Sequence, residues 1–141
     1  MTGQTLAPTK ATVQTPSGRI SYTEQGAGPV ALFVHGVLLN GHLWRHQLAD
    51  LSDIRRCIAV DLLAHGDTET EPDQDVSVTA NAKMIEEFLD VTWSRWLADK
   101  IPGTRRRVEL QNARIFFPEE RCTEFNRELR AHWQSAQREA Q

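Results

Sequence analysis

The 141 residues contain two cysteines, one tyrosine and no apolar stretch long enough to span a bilayer. Two thiols are too few for a disulfide scaffold, so a small secreted, cross-linked fold is excluded and a reduced, cytoplasmic chain is expected. The missing apolar run, together with a net charge of −3, argues against membrane and nucleic-acid partners. Glycine and proline number 8 and 6, far below collagen-like or low-complexity content. No internal repeat is present, and no phosphate-cradling glycine loop suggests a cofactor. Met1 to Val13 lacks the apolar core of a signal peptide and reads as a partly disordered lead-in.

What remains is the composition of a soluble domain, 40% hydrophobic and 25% charged, with length for one core across residues 1–141. Charge is uneven along it. Residues 1–92 carry six basic and twelve acidic side chains, and residues 93–141 carry ten and seven. An acidic loop and a basic helix explain this more simply than two mutually attracting surfaces. The loop is Asp67 to Asp75, five acids in nine residues. Pro72 interrupts it and no glycine follows Gly66, so it is read as solvated, with no metal expected.

Hydrophobic patterning sets the expected elements. Gly18 to Glu24 alternates apolar and polar residues, as a half-exposed strand does, and is expected to pair with Ala11–Gln14 across Thr15-Pro16-Ser17-Gly18. Val30 to Val34 is continuously apolar and ends at His35-Gly36, which predicts a central strand covered on both faces. Leu43, Trp44, Gln47, Leu48 and Leu51 form one helical stripe. Arg56 to Leu62 repeats the apolar run, so strand, helix and strand make a crossover and a parallel pair. This is an α/β pattern. Cys57 lies within the second run, where a buried thiol is commonplace.

Residues 77–101 contain neither glycine nor proline, and Val78, Ala82, Ile85, Leu89, Trp93, Trp96 and Leu97 recur at helical spacing behind a cap at Ser77 or Thr79. One long helix, or two broken near Val91-Thr92, ends at Ile101-Pro102-Gly103. A short strand is expected at Arg107–Leu110. A terminal helix follows from Pro118 to Trp133, with Phe125, Leu129 and Trp133 on its apolar face.

The order strand, His35-Gly36, Trp44-bearing helix, strand, Asp61-Leu62-Leu63-Ala64-His65-Gly66 resembles the N-terminal part of the α/β-hydrolase fold, especially its epoxide hydrolase, haloalkane dehalogenase and esterase-like members. The likeness runs over residues 11–90, with Ala64 where the family usually has glycine. Residues 91–135 resemble the family's C-terminal helix, strand and helix. The resemblance implies a truncated three-layer α/β domain with a mostly parallel sheet of four or five strands. It also implies an oxyanion-hole-like turn at His35, Gly36, Val37 and Leu38. There a backbone N–H of Val37 or Leu38 would face a developing oxyanion, and His35 would fix the loop. A side chain at Gly36 is expected to crowd the adjoining strand ends. Trp44, Asp61 and His65 are the expected pocket residues for a small-molecule ligand.

The resemblance also shows what is missing. The family's nucleophile sits in Gly-x-(Ser, Asp or Cys)-x-Gly, and no such pattern occurs in residues 1–141. Arg114 stands where the general-base histidine is expected and cannot accept a proton. An internal deletion joined near Asp90-Val91, or a compact relative, accounts for this. The implied ancestral activity is hydrolysis of an ester, epoxide or haloalkane-type molecule, lost in the chain alone. The alternative is an interaction or ligand-binding module on the same scaffold, with self-association through an exposed sheet edge.

Overall fold

Alternation from Gly18 onward produces the expected hairpin. In the computed structural model, which describes residues 7–92 and 116–139, β1 (Thr9–Thr15) and β2 (Gly18–Gln25) pair antiparallel with Thr15 opposite Gly18 and Ala11 opposite Tyr22. Strand order thus begins at Thr9, within the stretch expected to be a loose lead-in. The two apolar runs form β3 (Val30–Val34) and β4 (Arg56–Val60), parallel and in register with Leu32 opposite Ile58. Between them lie a short 3-10 turn at Gly41–Trp44 and α1 (Arg45–Leu51). Leu43, Gln47, Leu48 and Leu51 are buried there, the stripe read from the sequence.

Among the described residues the sheet has four strands in the order β1-β2-β4-β3 and is mixed, where a mostly parallel one was expected. Among the described strands, β3 and β4 are joined by a helical crossover and run parallel. The hairpin partner β2 meets β4 antiparallel, Tyr22 opposite Val60. Among the described residues β4 is paired on both sides and β3 on one, and the Arg107–Leu110 strand that bears on the expected central position of β3 lies outside them. Burial alternates along β3, with Ala31 and Phe33 inside and Val34 exposed, whereas Cys57 to Val60 are all buried. β4 has helices over both faces, and two-sided cover is what a continuous apolar run reports.

Ile20, Ile58, Val60 and Leu63 pack with Met84 and Phe88 on one face of the sheet. Ala31, Phe33, Cys57 and Ala59 pack with Leu48 and Leu51 on the other, where Leu129 and Trp133 also dock. Each large side chain fully buried this way contributes roughly 1.5–3 kcal/mol. Helix, sheet and helix therefore form three layers.

On α2 (Val78–Thr92) the buried face is Met84 and Phe88, with Ala80 and Ile85 beside them. The expected stripe through Val78 and Ala82 is displaced, since Val78 is 84% exposed. Met84 and Phe88, both fully buried and four residues apart, mark the inward face, and Phe88 meets the Tyr22 ring edge-on at 5.3 Å. Ser77 caps the helix by accepting the Ala80 N–H. The backbone stays helical through Asp90-Val91 to Thr92. Trp93, Trp96, the Ile101-Pro102-Gly103 stop, the Arg107–Leu110 strand and Arg114 lie outside the described residues.

The terminal helix is divided at Arg121 into α3 (Phe117–Glu120) and α4 (Cys122–Glu139), where continuity from Pro118 was expected. Fully buried Gln47 of α1 reaches across the division. Its amide donates to the Pro118 carbonyl at 3.0 Å and to Asn126 Oδ1 at 3.1 Å, fixing α3 and α4 against α1.

Candidate active-site turns

Because β3 and β4 are parallel neighbours, the segments leaving their carboxyl ends lie side by side. The first turn starts at His35 and the second at Asp61. His35 is 4% exposed. The Leu62 N–H of the second turn donates to its Nε2 at 3.0 Å, while its Nδ1 lies 2.8 Å from the Gly36 carbonyl. His65 returns the arrangement. Leu38 N–H donates to His65 Nε2 at 3.3 Å, and His65 Nδ1 lies 2.8 Å from the Leu63 carbonyl. The ring centroids are 5.2 Å apart. With both nitrogens engaged on each ring, neither imidazole has a free lone pair for proton abstraction.

Asp61 organises the second turn from inside. Its carboxylate accepts Gly41 N–H at 2.7 Å and Asp67 N–H at 3.1 Å, joining the turn to the start of the 3-10 segment. Its backbone carbonyl accepts the Thr68 hydroxyl at 2.8 Å, and that hydroxyl oxygen accepts the Ser21 N–H of β2 at 3.0 Å. Gly66 closes the turn at φ +55°, and a Cβ there would stand 2.3 Å from the Asp61 carboxyl carbon. Ala64 is also left-handed, at φ +61°. Its position is the one where the resembled family usually has glycine.

The first turn is looser. Val37 and Leu38 are 75% and 92% exposed, Leu38 has φ +65°, and Gly36 has open space where a Cβ would go. Crowding at Gly36 was expected, but among the described residues nothing packs over that carbon, because the chain leaves β3 outward. The Val37 N–H has no hydrogen bond among the described residues, and the Leu38 N–H is taken by His65.

Of the three expected pocket residues, Asp61 lines a cavity of about 600 Å³, with Lys10, His42 and Arg45 also on its walls. Trp44 and His65 stand apart from it. Trp44 packs between Phe33 and Phe125, at ring separations of 5.3 and 6.2 Å. Sequence reading missed Gly41, Thr68 and Asn81, the last accepting the Leu63 N–H at 2.8 Å. The Asn40-Gly41 turn dipeptide was the available signal for the first of them.

Neither Cys57 nor Ser52 lies at these turns. Cys57 is fully buried in β4, and burial pushes its thiol up to about 12. The Ser52 hydroxyl donates to the Ala49 carbonyl at the end of α1. In the acidic loop, Asp67 pairs with Lys10, Glu69 with Arg19, and Asp75 accepts the Ser77 N–H. Among the described residues no three potential metal-binding side chains stand together, and no helix is long and apolar enough to cross a membrane.

Residues 29–93, which contain α1, both parallel strands and both turns, match the family described as alpha/beta hydrolase fold. Over this segment, a little under half of the 141 residues, the chain is similar to the α/β-hydrolase family and shares its fold. It is 34% identical over 85 residues to a haloalkane dehalogenase of Mesorhizobium japonicum, covering 60% of this chain and 27% of that protein. To epoxide hydrolase 3 of Siraitia grosvenorii it is 40% identical over 70 residues, 49% of this chain and 22% of the relative. Among solved structures, an epoxide hydrolase from Vigna radiata superposes with a TM-score of 0.56 at 32% identity, over 60% of this chain and 28% of the other. A loop variant of a Bradyrhizobium elkanii haloalkane dehalogenase gives 0.58 at 22% identity, over 62% and 29%. The chain spans about a quarter of the length of the curated hydrolases it matches.

Proposed function

We propose that this chain carries the oxyanion-side turns of a hydrolase acting on an ester, epoxide or haloalkane-type small molecule, and that by itself it does not turn substrate over. One observation carries the reading. The turns after β3 and β4 are built and cross-linked, yet both histidines are saturated and residues 1–141 hold no nucleophile elbow. The Val37 N–H, and the Leu38 N–H once freed from His65, would serve charge developing on an oxygen, and that service needs a nucleophile delivered opposite them. The dehalogenase and epoxide hydrolase relatives favour this substrate class over other hydrolase chemistry. A panel of a p-nitrophenyl ester, styrene oxide and 1-bromobutane tests it on the purified chain. No turnover above buffer is expected, and turnover abolished by His35→Ala would overturn it.

A second reading, an interaction or ligand-binding module, is favoured by the charged cavity at Asp61 and by β3. Among the described residues that strand is paired on one side alone, beside exposed Val34, Val37 and Leu38. Open strand edges promote association. Sedimentation at high concentration should then show dimers or larger species, and a particle of 16.0 kDa alone would reject it.

A further inference from the structure

The two turns are linked by a pair of bonds running in opposite directions, and each bond ends on an imidazole. A carbonyl oxygen can accept but not donate, and a backbone N–H can donate but not accept. The Gly36 and Leu63 carbonyls therefore require a proton on Nδ1 of His35 and His65, and the Leu62 and Leu38 N–H groups require a lone pair on each Nε2. Both rings must be neutral for both bonds to exist. A proton added at either Nε2 sets two donors against each other and breaks the bond.

We propose that His35 and His65 form a proton-sensitive clasp, which holds the turn after β3 against the turn after β4 at neutral pH and releases the Val37–Leu38 loop in acid. Among the described residues the loop has little else to hold it. Leu38 stands in left-handed backbone, a strained conformation for a non-glycine residue, with its side chain 92% exposed. Its bond to His65 is the contact that opposes that strain. Release would uncover the Leu38 N–H beside the Val37 N–H, so acid would create donors that neutral pH conceals.

The charges around the clasp come from few sources. The second turn supplies Asp61 and Asp67, each already accepting or paired, the latter with Lys10 of β1. The 3-10 segment supplies His42 at the mouth of the Asp61 cavity. α2 has no acid in its first turn and offers neutral Asn81 to Leu63. Burial is the largest influence on His35 and holds it below the ordinary histidine value, with His65 acting in the same direction and the Gly36 carbonyl and Asp61 opposing. A depressed base favours the neutral ring in the fold. The bond's contribution is thus complete above the ordinary histidine value, near 6.5, and is lost as pH falls through the lowered one.

This inference concerns the turn on which the proposed function rests, but its test reads hydrogen bonds and not turnover, so the two fail separately. The full-length chain is labelled with 15N, and imidazole nitrogens and amide exchange are followed through the titration. At about pH 7.5 both rings should show the Nδ1–H tautomer. On acidification, protection at Leu38 and Leu62, corrected for intrinsic exchange, should fall about tenfold relative to Leu63, whose acceptor does not titrate. In His65→Gln the side-chain oxygen still accepts without titrating, so Leu38 protection should become independent of pH while Leu62 still responds. An Nε2–H tautomer in the unaltered chain, or Leu38 and Leu62 remaining as protected as Leu63 while the rings titrate, would overturn the clasp. The tautomer measurement needs no variant to fold.

Discussion

The turns after β3 and β4 leave neighbouring parallel strands and begin with a buried polar residue, His35 in one and Asp61 in the other, but they are built differently. After β4 a buried carboxylate draws in two backbone N–H groups from different segments, and the chain closes on it so tightly that Gly66 has no room for a side chain. After β3 the imidazole sends one bond across to Leu62 and one to its own neighbour, and the loop beyond runs out to solvent. A carboxylate oxygen can accept two or more donors and so gathers chain around itself. A neutral imidazole has one acceptor and one donor, and it can tie two points but cannot organise a shell. The second turn is therefore the rigid member of the pair, and the first depends on it.

The largest effect that would break this contrast is removal of the organising carboxylate. Asp61→Ala leaves the Gly41 and Asp67 N–H groups without their acceptor in a site that is 7% exposed, and hydrogen bonds to charged groups contribute about 1.5–3 kcal/mol each. A loss of about 3 kcal/mol is expected in urea unfolding. A loss under about 1 kcal/mol would mean that solvent replaces the carboxylate, and the turn would not be organised from within. Next comes Gly66→Ala, which adds a carbon 2.3 Å from the Asp61 carboxyl group and a left-handed alanine. Backbone strain alone costs roughly 1–2 kcal/mol, so a destabilisation of about 2 kcal/mol or more should appear in the same measurement.

How far the sequence foretold these features follows from the same physics. Strands and α1 were legible because burial against a sheet leaves period-two or continuous apolar runs, as at Gly18 to Glu24 and Val30 to Val34. The rotation of α2 was not, because Val78, Ala82, Ile85 and Leu89 satisfy helical spacing as well as Met84 and Phe88 do; the packing partners on the sheet, Tyr22 among them, decide between them. The division at Arg121 was hidden for a related reason. Phe125, Leu129 and Trp133 keep their spacing within α4, so the pattern does not register where the helix begins. At the site, His35, Asp61 and His65 stood out as residue types at strand ends, but their partners are backbone N–H and carbonyl groups, which no residue letter encodes. The likeness to a known family located the turns, and the hydrogen bonds distinguish them.

A smaller effect of opposite sign sharpens the contrast. Ala64, in left-handed backbone within the tight turn, is exposed and its N–H is held by the Thr70 hydroxyl at 3.0 Å. Ala64→Gly relieves the strain of that conformation and adds freedom to the unfolded chain, two terms of similar size that oppose each other. A net gain of about 0.5 kcal/mol is expected, read as a small rise in melting temperature. A clear loss would show that alanine's methyl packs usefully despite its exposure.

The smallest effect belongs to Gly36, and it separates the two turns most directly. Both Gly36 and Gly66 follow a histidine at a turn in this family's pattern, and equivalent intolerance at the two positions is the natural first expectation. Yet Gly36 is outside the left-handed region, and no atom of the described residues lies within 4 Å of where its Cβ would be. Neither strain nor collision opposes a side chain there. Alanine also has fewer conformations to lose on folding than glycine, which offsets what little packing could be disturbed. Gly36→Ala should therefore change stability by no more than about 0.5 kcal/mol. Measured beside Gly66→Ala in one set of denaturation curves, it should leave the midpoint nearly unchanged while the other moves far. Equal losses at the two glycines would show that the first turn is as closely packed as the second, and the division between an organised turn and a tethered one would fall.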